Sequence, residues 1–321
     1  MRWLLILLSL SSFAQLREAA LTMNREAAAP GFAIVLVHNG KVQVETFGSA
    51  KPDSLIRIGS LSKVLATTLL SKLVAEGKLR LTDQLQTFAP AGIKVPQPMT
   101  LLQLATHTSG IPRSLDSGEP WQTLAKTPML WPAGESAQYS SAAYIFLGQA
   151  ISKAAVQPYS DLLRDKVTRP LGLIDTTATP NPQQCARLMT GSQACHTEPA
   201  LASTASMYST PADIARWLQH LLKDHTTEGH MYVQRSTLKK AEGLDNGGHA
   251  DAVGLGWLLV NSPTPILQKT GGWDNFMSYI AFTPNGRTGV FAVFAKEDVD
   301  GLRRLATQVR ALIADLNTKP L

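Results

Sequence analysis

The chain has 321 residues, 44% hydrophobic and 17% charged, enough for one or two globular domains with a sizeable core. Its formal charge of +6 comes from basic residues scattered among acids. No Lys/Arg run alternates with aromatics, which excludes a nucleic-acid partner, and no repeat period or low-complexity tract is present.

The first stretch, "MRWLLILLSLSSFAQ", reads as an export signal over residues 1–14. Arg2 supplies the positive end, Trp3 to Leu10 the apolar run and Ser12-Phe13-Ala14 a small-x-small cleavage site. No later apolar run approaches the roughly 18 residues a membrane span needs. The expectation is a periplasmic mature chain, free of the membrane after cleavage.

Next comes "FAIVLVHNGKVQVETFG", two β-rich runs joined by Asn39-Gly40, a strong hairpin signal. "RIGSLSKVLATTLL" then leads into a helix over Val64 to Ala75, closed by Gly77. Ser60 and Lys63 stand three apart at its start, so their side chains share a face. A serine is a poor nucleophile at neutral pH without a base beside it, and a buried lysine of lowered pKa can be that base. A helix start also favours a developing oxyanion.

Spacing alone is weak, since a chain of this length holds about one Ser-x-x-Lys by chance. A second occurs at Ser236 to Lys239, in a polar stretch with no apolar face to bury it. Further along, "QYSSAAYIFLG" sets Tyr139-Ser140-Ser141 directly before a helix over Ala142 to Ala155. Cys185 and Cys195 lie in a polar stretch where an oxidising compartment lets them pair; two free thiols are the alternative. Closing that loop would stabilise by about 2–3 kcal/mol on the chain-entropy model.

A helix over Ala212 to Lys223 follows, and then "LQKTGGWDNFMSYIAF" puts Lys269-Thr270-Gly271 on a strand. That strand runs into a second hairpin turning at Pro284 to Arg287, and a last helix spans Leu302 to Leu316. His220, His225 and His230 recur every five residues, about 140° apart on a helix, so they do not converge and no metal site is expected. His107 reads as a packing and loop-fixing residue, and Trp217, Trp257 and Trp273 as core or cleft wall.

A sheet built from both chain ends forces the middle out as an insertion. The expected fold class is α+β: an antiparallel sheet flanked by terminal helices over 15–58 and 250–321, with a mainly helical lobe over 59–249 and a cleft between them.

Ser-x-x-Lys at Ser60, the triplet at Tyr139 and Lys-Thr-Gly at Lys269 come in the order that marks serine β-lactamases and penicillin-binding proteins. Because the middle element begins with tyrosine, the chain resembles the class C-like members of this family. "LLQLATHTSGIP", "RPLGLIDT" and "YSTPADIARWL" extend the resemblance through nearly all the mature chain. It implies the β-lactamase/transpeptidase-like fold, with Ser60 acylated, Lys63 its base or proton relay, and Tyr139 a general base activating the deacylating water. Lys269 would hold Tyr139 and the substrate carboxylate, beside Thr270 and Gly271. The backbone amides of Ser60 and Gly272 would form the oxyanion hole.

Whether Tyr139 or Lys63 is the base stays open, since each must fall about three units from its ordinary pKa to act at pH 7. Ser141 replaces the family's usual asparagine, which contacts the substrate's side-chain amide, and Ala205 stands near the place of a pocket aromatic. The resemblance thus implies an exported, monomeric β-lactamase without metal or cofactor, its reach extending to carbapenems. The alternatives are a D-alanyl-D-alanine peptidase or esterase on the same site, and a penicillin-binding sensor that stays acylated. The substrate is a small β-lactam or a D-Ala-D-Ala peptide.

Overall fold

The computed structural model describes residues 2–191, 194–223, 233–244, 250–261 and 263–318, with side chains for all of these except 2–13 and 233–235. Strands from both ends of the chain join in one antiparallel sheet. Among the described residues its order is Lys41–Gly48, Gly31–His38, Thr288–Ala295, Phe276–Phe282, Ile266–Trp273, Leu258–Val260, Ala252–Val253 and Val233–Gln234. The first hairpin turns at Asn39 and Gly40, both at positive φ (48° and 75°), as a tight two-residue turn requires.

Side chains alternate across the strand Gly31–His38. Phe32, Ile34 and Leu36 face a core made with Leu16, Ala20 and Met23 of the helix Arg2–Ala27 and Leu305, Val309 and Ile313 of the helix Val299–Thr318. Ala33, Val35 and Val37 face the opposite core, with Trp217 and Leu218 of the helix Pro211–Lys223. Both faces are covered, which is why this strand reads as an unbroken apolar run.

The helix Ser62–Ala75 is buried nearly all round, and the helix Ser141–Ala155 lies in the same core. Ser140 caps the latter, its hydroxyl accepting the Ala143 N–H at 3.0 Å.

Three details differ from the sequence-based expectation. Ser60 sits in a single 3-10 turn, Gly59–Leu61, that runs into the α-helix at Ser62. Val233–Gln234 pairs with Val253 and Ala252, so the sheet takes in a piece of the 59–249 stretch. The helix Pro211–Lys223, from the same stretch, packs on the sheet because its Trp217, Leu218 and Leu221 form one apolar stripe. Cys185 and Cys195 are joined by a disulfide. No helix among the described residues is long and apolar enough to cross a membrane.

Candidate active site

The nucleophile turn meets the sheet where two glycines remove obstacles. Gly59 adopts φ +55°, and a Cβ there would lie 2.5 Å from the Gly272 nitrogen. A Cβ on Gly271 would collide with the Ile58 carbonyl and the Ser278 hydroxyl. Only glycine at both places lets the Ser60 turn approach the strand Ile266–Trp273 this closely. Pairing with Leu258–Val260 stops at Gln268, so on that edge the backbone from Lys269 onward meets the turn, while its other edge stays paired with Phe276–Phe282.

Two side chains meet at Ser60. The Tyr139 hydroxyl donates to Ser60 Oγ at 2.5 Å. Lys63 Nζ donates to Ser60 Oγ at 3.3 Å, to Ser141 Oγ at 3.3 Å and to the Thr204 carbonyl at 2.8 Å. Burial, reinforced by the nearby Arg113 charge, lowers the Lys63 pKa to about 7. Lys63 is therefore poised between its neutral and charged forms at neutral pH, as a proton acceptor for a serine must be.

The Tyr139 ring is surrounded by cations. Lys63 Nζ lies 4.9 Å from its centroid, Lys269 Nζ 4.8 Å and the Arg113 guanidinium 4.9 Å. The fourth side of the ring rests on His107, 4.6 Å away. His107 Nδ1 accepts the Ser140 N–H at 3.1 Å, and burial, then the charges of Lys269 and Lys63, hold its pKa well below the ordinary range. A neutral ring accepting at Nδ1 fixes the backbone beside Tyr139, the loop-fixing role read from sequence.

Ser60, Tyr139, Thr270, Gly271, Gly272 and Arg113 line a pocket of about 360 Å³. Ser60, Lys63, Tyr139, Ser141 and the Lys269–Gly272 segment, expected from sequence to act together, all converge here. Trp273 lines the wall, and Trp217 and Trp257 are core. The decoy pair separates: Ser236 is exposed, and Lys239 is bound to Glu135 at 2.7 Å with 73% of its side chain exposed.

No cluster of metal-ligating side chains occurs among the described residues. His225 and His230 lie outside them. Sequence reasoning missed Arg113, one residue beyond the "THTSGIP" stretch, and the Thr204 carbonyl, which carries no side-chain signal.

A serine flanked by a buried lysine and a tyrosine, beside a glycine-rich strand, defines a serine acyl-transfer enzyme of the β-lactamase/transpeptidase-like fold. The chain belongs to the Beta-lactamase family, whose model matches residues 14–315. It is 32% identical to the D-alanyl-D-alanine-carboxypeptidase/endopeptidase AmpH of Escherichia coli, over 92% of this chain and 87% of that protein. The β-lactamase/D-alanine carboxypeptidase of Yersinia pestis superposes with a TM-score of 0.91 at 35% identity, covering 96% of this chain and 99% of that one. A class C β-lactamase shares the fold, with a TM-score of 0.79 at 18% identity over 96% and 97% of the two chains.

Proposed function

We propose that this chain is a D-alanyl-D-alanine carboxypeptidase/endopeptidase working through an acyl-enzyme on Ser60. Neutral Lys63 takes the Ser60 proton, and Oγ attacks the carbonyl of the penultimate D-alanine. The oxyanion forms between the amides of Ser60 and Gly272. Tyr139, within 2.5 Å of Ser60 Oγ, returns a proton to the departing amine and then activates the water that releases the acyl group. Lys269 and Thr270 receive the terminal carboxylate.

The observation that carries the peptidase reading is the 32% identity to a carboxypeptidase/endopeptidase across 92% of the chain. The β-lactamase favoured by sequence alone becomes the second reading, supported by the double name of the Yersinia pestis neighbour. Either reaction suits the periplasm, the compartment to which the leader expected over residues 1–14 and the disulfide point.

The deciding experiment measures D-alanine release from a D-Ala-D-Ala-terminated peptide beside hydrolysis of a chromogenic cephalosporin. Faster kcat/KM on the peptide is expected. Cephalosporin turnover with no D-alanine release would make the chain a β-lactamase. One equivalent of acylation followed by silence on both substrates would make it a sensor.

A further inference from the structure

Three residues before Ser60 stands Arg57, and two residues after Gly272 stands Asp274. Their side chains meet: Arg57 Nε lies 2.7 Å from Asp274 Oδ2, with side-chain exposures of 0% and 6%. The two residues expected to supply the oxyanion donors, Ser60 and Gly272, are thus each a short covalent step from one member of a buried ion pair.

We propose that Arg57 and Asp274 are positioning residues that set the separation of the two halves of the oxyanion hole. The inference rests on the Ser60 acyl-enzyme reading above. Glycines at 59 and 271 permit a close approach but do not choose its distance, because a glycine backbone has more freedom than any other. Something else must hold the turn against the strand, and a planar guanidinium held on several sides is well made for it.

The guanidinium is fixed by more than Asp274. It lies over the Tyr208 ring at 4.4 Å, from the strand Tyr208–Ser209 that pairs with Ile56–Arg57. Arg57 Nη2 also lies against the His196 ring, 2.8 Å from Nδ1 and 3.0 Å from Nε2, and that Nδ1 is 2.9 Å from the Ala194 carbonyl. The Tyr208 hydroxyl donates to the His196 carbonyl at 2.8 Å.

On the other side, Asp274 and Asn275 occupy positive φ (51° and 62°) in the tight turn that closes the oxyanion strand. Asn275 Nδ2 donates to the Gly191 carbonyl at 3.3 Å. Gly191 lies within the disulfide-closed stretch from Cys185 to Cys195, and His196 directly follows it. Turn and strand are therefore braced against one loop.

A buried pair of this kind adds little net stability compared with apolar packing; its value lies in a fixed geometry. For an oxyanion hole that geometry is the catalytic quantity. Removing a donor costs on the order of 10²–10³ in rate, and a shift of about 1 Å can cost 10²-fold.

The test follows acylation of the full chain by a fluorescent penicillin, with affinity for a boronic acid that mimics the tetrahedral intermediate. Wild type must be acylated and Ser60→Ala must not; failure there sinks the Ser60 acyl-enzyme reading, and with it the oxyanion hole that the pair is proposed to set. Given that control, Asp274→Asn keeps the shape and removes the charge. Its acylation rate and its boronate affinity should fall together by about ten- to hundredfold, with the dissociation constant of the non-covalent penicillin complex within about twofold. Asp274→Glu should recover part of the loss. Should Asp274→Asn not fold, Arg57→Lys retains the buried charge balance and should show the same paired fall. Acylation within twofold of wild type overturns the proposal. So does a loss confined to non-covalent binding, which would make Asp274 a substrate contact.

Discussion

Lys63 makes its shortest hydrogen bond to the Thr204 backbone carbonyl, at 2.8 Å, and a longer one, 3.3 Å, to Ser60. The carbonyl dipole anchors the amine while leaving Ser60 a looser partner, free to pass its proton. A carbonyl cannot itself titrate, so the proton inventory at the nucleophile is set by Lys63, Tyr139 and Ser60.

The pH dependence of acylation follows. Lys63 accepts a proton only when neutral, and its pKa is lowered to about 7 by burial and then by Arg113. The acylation rate should be low in acid, rise through about pH 7 and level off above it. Arg113→Gln removes a positive charge that disfavours protonated Lys63, so the rise should move to higher pH. A pH–rate profile with fluorescent penicillin checks both; a profile unmoved by Arg113→Gln would show that burial alone sets the poise.

Tyr139→Phe deletes the hydroxyl bonded to Ser60 and keeps the ring among its cations. Loss of a general acid–base group should cost on the order of 10²–10⁴ in kcat. Steady-state kinetics on the D-Ala-D-Ala peptide provide the measurement. Activity within about twofold of wild type would leave Lys63 to carry every proton transfer.

The nucleophile can be fixed independently of turnover. Intact-protein mass spectrometry with a slow β-lactam should show one adduct, absent in Ser60→Ala. Ser236 should never be labelled, because its neighbour Lys239 is a solvated ion-pair partner of Glu135. An adduct mapped to Ser236 would refute the assignment.

What could be read from sequence was whatever chemistry is written locally. Ser60 with Lys63, Tyr139-Ser140-Ser141 and Lys269-Thr270-Gly271 are short motifs whose order says they meet, and the two hairpins announce themselves by Asn39-Gly40 and Pro284 to Arg287. What could not be read depends on contacts between distant segments. The Thr204 carbonyl has no side chain to mark it, Arg57 and Asp274 are far apart in sequence, and Arg113 looks like any exposed arginine. The packing of Pro211–Lys223 on the sheet was hidden for the same reason: an amphipathic helix shows that it has a buried face, not which layer covers it.

His107 offers a stability test. It is buried at φ +59°, and its Nδ1 is the acceptor for the Ser140 N–H. His107→Leu would leave that buried N–H without a partner, costing about 1–3 kcal/mol. Thermal unfolding should show the loss, and His107→Asn, better suited to positive φ, should lose less. Equal losses would mean that ring packing against Tyr139 matters more than the acceptor.

Ser141 is where substrate preference should be adjustable. Its hydroxyl lies 3.3 Å from Lys63 Nζ, so it serves the buried amine before it serves any substrate. An asparagine there spans further, keeps an oxygen for Lys63 and adds an NH₂ donor for the side-chain amide of a substrate. One such hydrogen bond is worth about 0.5–1.5 kcal/mol, or roughly three- to tenfold. Ser141→Asn should therefore raise kcat/KM for acylamino cephalosporins by about that factor. Carbapenems, whose hydroxyethyl group lacks the amide, should be unchanged. Compared with class C enzymes that carry asparagine there, the wild-type chain should lose ground on acylamino substrates only, and so be relatively better on carbapenems. Parallel kinetics on both classes decide it: equal gains on both would mean the substitution acts through Lys63, and no gain on the cephalosporins would mean that position 141 does not reach the substrate.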